Sequence, residues 1–139
     1  MIILDTNVLS ELMKPRPAAR VVEWTATQAT ASLYTTSITQ AEILHGLMLL
    51  AGGRRRRALE AAAASMFAQD FGGRILGFGP DEALPYAQIA ADRRRAGRPI
   101  SHFDAQIAAI ARATGGTVAT RNVADFEGCG VSVVNPWKP

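Results

Sequence analysis

The sequence predicts an α/β fold, with about five strands in a mainly parallel sheet flanked by helices, and three observations carry that prediction. Met1 to Leu4 form an unbroken apolar run without polar alternation, the pattern of a strand covered on both faces. Strand-like runs then alternate with helical patterns along the chain, which implies βαβ units with right-handed crossovers. Paired glycines at 52–53, 72–73 and 115–116 supply stops for three of the helices. The 139 residues are expected to form a single domain, residues 1–139, large enough to bury a core without disulfides or a structural metal.

Each element has its own signal. After Asp5, Thr6 to Met13 carry Val8, Leu9 and Leu12 at helical spacing, and Lys14-Pro15-Arg16-Pro17 stops that helix. A second helix is expected from Ala18, with Val21, Val22, Trp24 and Thr25 on its packed side. Ser32 to Thr36 is β-branched and aromatic enough for a strand. Ser37 and Thr39 open a helix in which Ile43, Leu47 and Leu50 recur at i, i+4 and i+7. Arg54 to Phe71 reads as one helix with Leu59, Ala63, Met66 and Phe67 along its apolar stripe. Ile75 to Phe78 suggests a short strand, and Gly79-Pro80-Asp81 turns the chain into a helix reaching about Ala96, with Pro85 in its first turns. Ser101 begins a helix that buries Phe103, Ile107, Ile110 and Ala111 on one face. Thr117 to Thr120 is a strand, Arg121 to Glu127 a loop with one helical turn, and Val131 to Val134 a final strand.

Composition narrows the setting. The single cysteine, Cys129, rules out an internal disulfide, and no Cys/His cluster has zinc-like spacing. A reducing, cytoplasmic location is expected, with no secretory leader and no membrane span. The formal charge is +3, and its positive side is almost all arginine, Lys14 and Lys138 being the only lysines. Arg54 to Arg57 form one run, and Arg93, Arg94, Arg95 and Arg98 a second. Solvated helix surface is the economical reading of such runs, and polyanion binding the sharper one.

Of the twelve acidic residues, Asp5, Glu42, Asp104 and Asp125 sit in apolar or constrained surroundings, while the other eight look solvent-facing. Taken singly, each of the four is well explained as a helix cap. Thr39-Gln40-Ala41-Glu42 and Ser101-His102-Phe103-Asp104 match the capping box, Asn122-Val123-Ala124-Asp125 nearly does, and Asp5 is itself a good N-cap. Taken together, they lie at helix starts that a parallel sheet gathers on one edge, where crowded carboxylates raise one another's pKa. A divalent cation relieves that repulsion. An oxygen-only set without His or Cys suits Mg²⁺ or Mn²⁺, and such sites carry metal-assisted phosphoryl chemistry. Thr120 and Asn122, at the end of another strand, and Asn7 and Thr6 beside Asp5 are positioned to orient ligands or water. His45 and His102 are expected to be structural, and Cys129 has no activating neighbour in sequence.

Five segments in order resemble the PIN-domain ribonucleases of the VapC type, in their FitB-like branch of toxin-antitoxin toxins. They are Ile3-Leu4-Asp5-Thr6-Asn7 with Ser10-Glu11-Leu12; Ser37-Ile38-Thr39 leading to Ala41-Glu42-Ile43 and Gly46; Asp104 with Ile107-Ala108-Ala109; Thr120-Arg121-Asn122 with Asp125-Phe126; and Asn135-Pro136-Trp137. The resemblance implies a three-layer PIN-like domain and a metal-dependent endoribonuclease. In it Asp5 and Asp104 ligate Mg²⁺ or Mn²⁺, Glu42 ligates or activates water, and Asp125 serves a second ion or the outer shell. Asn7, Thr120 and Asn122 assist. The same resemblance implies a homodimer, an RNA substrate, and a small antitoxin with a DNA-binding segment that blocks the acidic cleft. Arg54, Arg55, Arg93, Arg94 and Arg121 are the candidate contacts to RNA backbone. The competing readings are a catalytically inactive PIN-like module that binds RNA or protein, and a receiver-like phosphoacceptor domain. The latter needs a lysine beside the aspartate, and both lysines lie outside the expected acidic edge.

Overall fold

The computed structural model describes residues 1–139. Its five strands are β1 (Ile2–Leu4), β2 (Leu33–Thr36), β3 (Ile75–Leu76), β4 (Thr117–Ala119) and β5 (Ser132–Val134). All pair in parallel, in the order β3-β2-β1-β4-β5. The chain builds outward from β1 through β2 to β3, then returns to add β4 on the other side of β1. The order therefore reverses between β1 and β4, and a crevice opens at such a switch point beyond the carboxyl ends of the strands. Asp5 ends β1 at that crevice, and its amide still bonds Ala119 O at 2.9 Å.

Alternation along the strands divides the interior into two layers, as a doubly covered sheet requires. Leu4 and Ala119 face one core with Val8, Leu9, Ile43 and Phe67; Ile3 and Val118 face the other with Ile89, Ile107 and Ile110. The first core is covered by α1 (Thr6–Leu12), α2 (Ala19–Thr27), α3 (Ser37–Met48) and α4 (Arg54–Ser65). The second is covered by α5 (Pro80–Arg95) and α6 (His102–Thr114).

Several elements differ from the sequence reading for identifiable reasons. The expected helix over Arg54–Phe71 is α-helical only to Ser65, and Met66–Asp70 is a π turn closed by Phe71 N to Met66 O at 3.0 Å. Positions four apart drift around an α-helix; the wider turn brings them back, so Ala63, Phe67 and Phe71 all reach the core. Strand β3 stops at Leu76 because Phe78 turns away to meet Tyr86 edge-on, with ring centroids 5.8 Å apart. On α2 only Val21 and Trp24 are buried, and Val22 is 41% exposed. On α6 Phe103 is likewise outside, leaving Ile107 to Ala111 to fill the core. Pro85 stands in the second turn of α5, among the early turns expected for it.

Glu11 corrects the expectation that the eight remaining acids face solvent. Only 8% exposed, it accepts bonds from Lys14 Nζ and from the backbone amide of Ala18, both at 3.0 Å. Ala18 has no side chain with which to cap α2, so the Glu11 carboxylate does so from the preceding helix.

Candidate active site

Asp5 is the centre of a hydrogen-bonded set built by the ends of β1 and β4. Its backbone leaves β1 extended and its Oδ1 accepts from the amide of Thr6 at 2.8 Å, making it the N-cap of α1. Oδ2 accepts from the Thr120 hydroxyl at 2.8 Å and from Asn7 Nδ2 at 3.4 Å. The same Thr120 oxygen accepts from Asn7 Nδ2 and from the amide of Asn122, each at 3.1 Å. Asn7 Oδ1 in turn accepts from the amide of Arg121 at 3.1 Å. Thr120 thus uses its one donor and both lone pairs, and Asp5, 5% exposed, is held in one rotamer.

Glu42 reaches this set through hydroxyls. The N-cap of α3 is Thr36, whose Oγ1 accepts from Thr39 N at 3.0 Å; Thr39 is therefore inside the helix rather than its cap. The capping explanation of Glu42 falls with that shift. The Thr6 hydroxyl donates to Glu42 Oε1 at 3.0 Å and lies 3.2 Å from the buried Thr39 hydroxyl. Thr39, read from the sequence as a cap, instead joins the hydroxyl contacts beside Glu42. Thr36, Ser37 and Thr39 are all competent caps, so composition alone could not separate them.

Asp104 occupies the first turn of α6, and its amide donates to the capping Ser101 hydroxyl at 3.1 Å. Its half-buried carboxylate takes no bond from the Ser101 amide, so the reciprocal half of the capping box is not made, and the Ser101 hydroxyl is its only polar support. Asp125 lies on a single 3-10 turn, Val123–Phe126, with its side chain exposed and without a partner. Asn122 starts that turn without a side-chain cap bond.

Asp5, Glu42 and Asp104 each feel the charge of a neighbouring acid. Burial pushes the Asp5 carboxyl above its ordinary range, the bonds from Thr120 and Thr6 pull it back, and the charge of Asp125 adds to the rise. Burial likewise raises Glu42, opposed by Thr6 and reinforced by Asp5 and Asp104. Asp104 is raised by burial, then by Asp5 and Asp125, with Ser101 and Arg93 acting the other way. This is the electrostatic pattern of carboxylates crowded around a site for positive charge.

The donors are all hard oxygens, which fit Mg²⁺ or Mn²⁺. No three of the chain's Asp, Glu, His or Cys side chains close tightly enough to grip one ion by themselves. That spread suits Mg²⁺, which commonly takes one or two carboxylates directly and keeps several waters. The residues fit the ion with waters completing its shell.

The candidate polyanion contacts divide. Arg54, Arg55, Arg94 and Arg121 are exposed. Arg55, with Lys14, lines a cavity of about 500 Å³ that begins at Thr6 and Glu42. Arg121 lies over the Trp137 ring, 5.0 Å from its centroid. Arg93 is a correction: it is 7% exposed, and its guanidinium is spent on backbone carbonyls, so it is not available to RNA. Its place was signalled by Ile89, which lies one turn earlier on the same face of α5. Outside this set, His102 Nδ1 bonds the Tyr86 hydroxyl at 2.7 Å, and burial pushes the Cys129 thiol up, away from reactivity.

A family model described as the PIN domain matches residues 2–127. The chain is 39% identical to VapC ribonuclease Y4jK of Sinorhizobium fredii, over 100% of this chain and 99% of the other. It is 39% identical to Toxin FitB of Neisseria gonorrhoeae over 99% of each. The structure of FitAB bound to the IR36 DNA fragment superposes with a TM-score of 0.94 at 39% identity, covering 100% of this chain and 97% of that one. A switch-point crevice lined by mutually repelling carboxylates, with these likenesses along the whole chain, places the protein in the PIN domain family.

Proposed function

We propose that this chain is the toxin of a toxin-antitoxin pair and acts as an endoribonuclease dependent on Mg²⁺ or Mn²⁺. The observation that carries the reading is the convergence of Asp5, Glu42, Asp104 and Asp125 on one sheet edge, with the first three raised above their ordinary pKa by burial and, secondarily, by the charge of Asp5, Asp104 or Asp125 nearby. A bound divalent ion supplies Lewis acidity toward a phosphodiester and lowers the pKa of water at neutral pH. Asp5 and Asp104 are the residues to hold it, with Asp125 at its outer side. Thr120 and Asn7 fix the Asp5 carboxylate, so no reorganisation is needed when charge arrives. Glu42, its basicity raised by burial, takes the proton of the attacking water, and the Thr6 hydroxyl orients it. Asn122 holds Thr120 through its amide.

The exposed Arg54, Arg55, Arg94 and Arg121 are the candidate contacts to RNA phosphates, whose sequence-independent attraction sets affinity and salt dependence. The partners in this reading are an antitoxin that also binds DNA and a second copy of the chain, in the cytoplasm. The names of the relatives VapC ribonuclease and Toxin FitB, and the FitAB complex with DNA, support it. The test is incubation of purified protein with cellular RNA and Mn²⁺ or Mg²⁺, with and without chelator. Metal-dependent cleavage is expected; intact RNA under all metal conditions sinks the proposal.

A further inference from the structure

Asp125 is the least supported of the four acids. Its side chain has no hydrogen-bond partner, and its turn is held internally by amide bonds of 3.0 Å to Asn122 O and, further on, 3.3 Å from Glu127 N to Ala124 O. Two glycines with positive φ, Gly128 (74°) and Gly130 (70°), follow at once. Phe126 and Cys129 anchor the loop in the core, and the side carrying the Asp125 and Glu127 carbonyls has to be held as well. Arg93, near the C-terminal end of α5, holds it: Nη1 donates to Asp125 O at 2.7 Å and to Glu127 O at 3.0 Å, while Nε donates to Arg98 O at 2.7 Å.

Buried arginine is uncommon without a carboxylate, because desolvating the cation is costly. Here no acidic side chain pairs with it; three main-chain carbonyls and, at 3.7 Å, the Cys129 sulfur accept from its Nε and Nη1, and a planar fork is the donor geometry that can take several at once. Its charge is felt at Asp104, which it lowers against the pull of Asp5 and Asp125. The Arg98–Glu127 ion pair, 2.8 Å, also ties this loop but is half open to water on both sides. Exposed pairs of that kind hold little.

We propose that Arg93 is a positioning residue for the fourth carboxylate: by gripping the carbonyls of Asp125 and Glu127 it fixes the loop so that Asp125 faces the metal site. This rests on the metal-dependent reading above. Outer partners that orient ligands typically cost about 10–100-fold in metal affinity when removed.

The test is Mn²⁺ binding by calorimetry, with the melting temperature measured alongside. Arg93→Met is expected to weaken Mn²⁺ binding at least about tenfold. The same change made in an Asp125→Ala background should alter Mn²⁺ affinity by less than about twofold while still lowering the melting temperature, since the grip then has no carboxylate to place. Arg98→Met should leave Mn²⁺ affinity within about twofold of wild type. Should Arg93→Met fail to fold, Arg93→Lys keeps the charge but not the fork, and its affinity is expected between those of wild type and Asp125→Ala. Mn²⁺ binding by either Arg93 variant equal to wild type overturns the proposal, as does an undiminished loss when Asp125 is already absent. Wild-type protein that binds no Mn²⁺ overturns the metal site itself, and this role with it.

Discussion

Thr120→Val removes one oxygen and tests how Asp5 is held. The hydroxyl donates to Asp5 Oδ2 at 2.8 Å, and without it that oxygen keeps only the 3.4 Å contact from Asn7. Valine preserves the shape, so packing changes little; Asn7 Nδ2 and the Asn122 amide lose an acceptor but lie close enough to water to replace it, while a buried carboxylate loses its strongest bond. A hydrogen bond to a charged group contributes about 1.5–3 kcal/mol, which puts the loss near 2 kcal/mol at pH 7. For a chain of this length that is a fall in melting temperature of roughly 7 °C. The pH dependence has a definite sign. The folded pKa of Asp5 already lies above its ordinary value of 3.8, so the folded chain holds the proton more tightly, and stability from this group falls as pH rises from 3.8 through the folded value. The variant lifts the folded value further. Its deficit should be full at pH 7 and should close, as pH falls toward 3.8, to the cost of a neutral hydrogen bond, about 1 kcal/mol. Urea denaturation at pH 4 and pH 7 measures both. Equal deficits at the two pH values, or none at pH 7, would refute the coupling between Thr120 and Asp5.

Two further variants separate the acids by sign. Asp104→Asn removes a charge that Asp5 and Asp125 repel, so the metal-free protein should melt higher than wild type at pH 7 and lose the rise that Mn²⁺ brings; a lower melting point in chelator contradicts the crowding. Glu11 behaves oppositely, because Lys14 and the Ala18 amide hold it below its ordinary 4.5; the stability it contributes is present above 4.5 and lost as pH falls through the folded value. Glu11→Ala should therefore lower the melting temperature at pH 7, with the deficit narrowing below pH 4.5, while a deficit that widens in acid contradicts the capping of α2.

How much of this could be read from sequence depended on whether partners were near in the chain. The parallel sheet and its helices follow from apolar runs and helical periods, and Asp5 was visible because an acid ends a buried run. The acidic edge followed from topology, since parallel strands put helix starts on one side. What was hidden depends on contacts across the fold. Glu11 looked like any surface acid because its partner is the backbone amide of Ala18. Arg93 sat inside a charge run; Ile89 one turn earlier marked its face, but its partners are carbonyls 32 and 34 residues onward in a loop with no pattern of its own. The Glu42 capping box was misread because three neighbouring hydroxyl residues could start α3, and strand β2 ending at Thr36 decided among them. The π turn after Ser65 answers to the fit of Phe67 and Phe71 against the core, which composition does not encode.

Asp5→Asn gives the most direct test of the acidic edge as a metal-dependent nuclease site. Asparagine is as good an N-cap as aspartate, so the start of α1 survives while the buried charge is lost. The measurement is Mn²⁺-dependent cleavage of RNA by wild type and variant, each shown to be folded by its melting curve. Loss of cleavage in a protein that melts no lower than wild type is the expected result. Undiminished Mn²⁺-dependent cleavage by folded Asp5→Asn protein would contradict it, since Asp5 would then be a cap and nothing more.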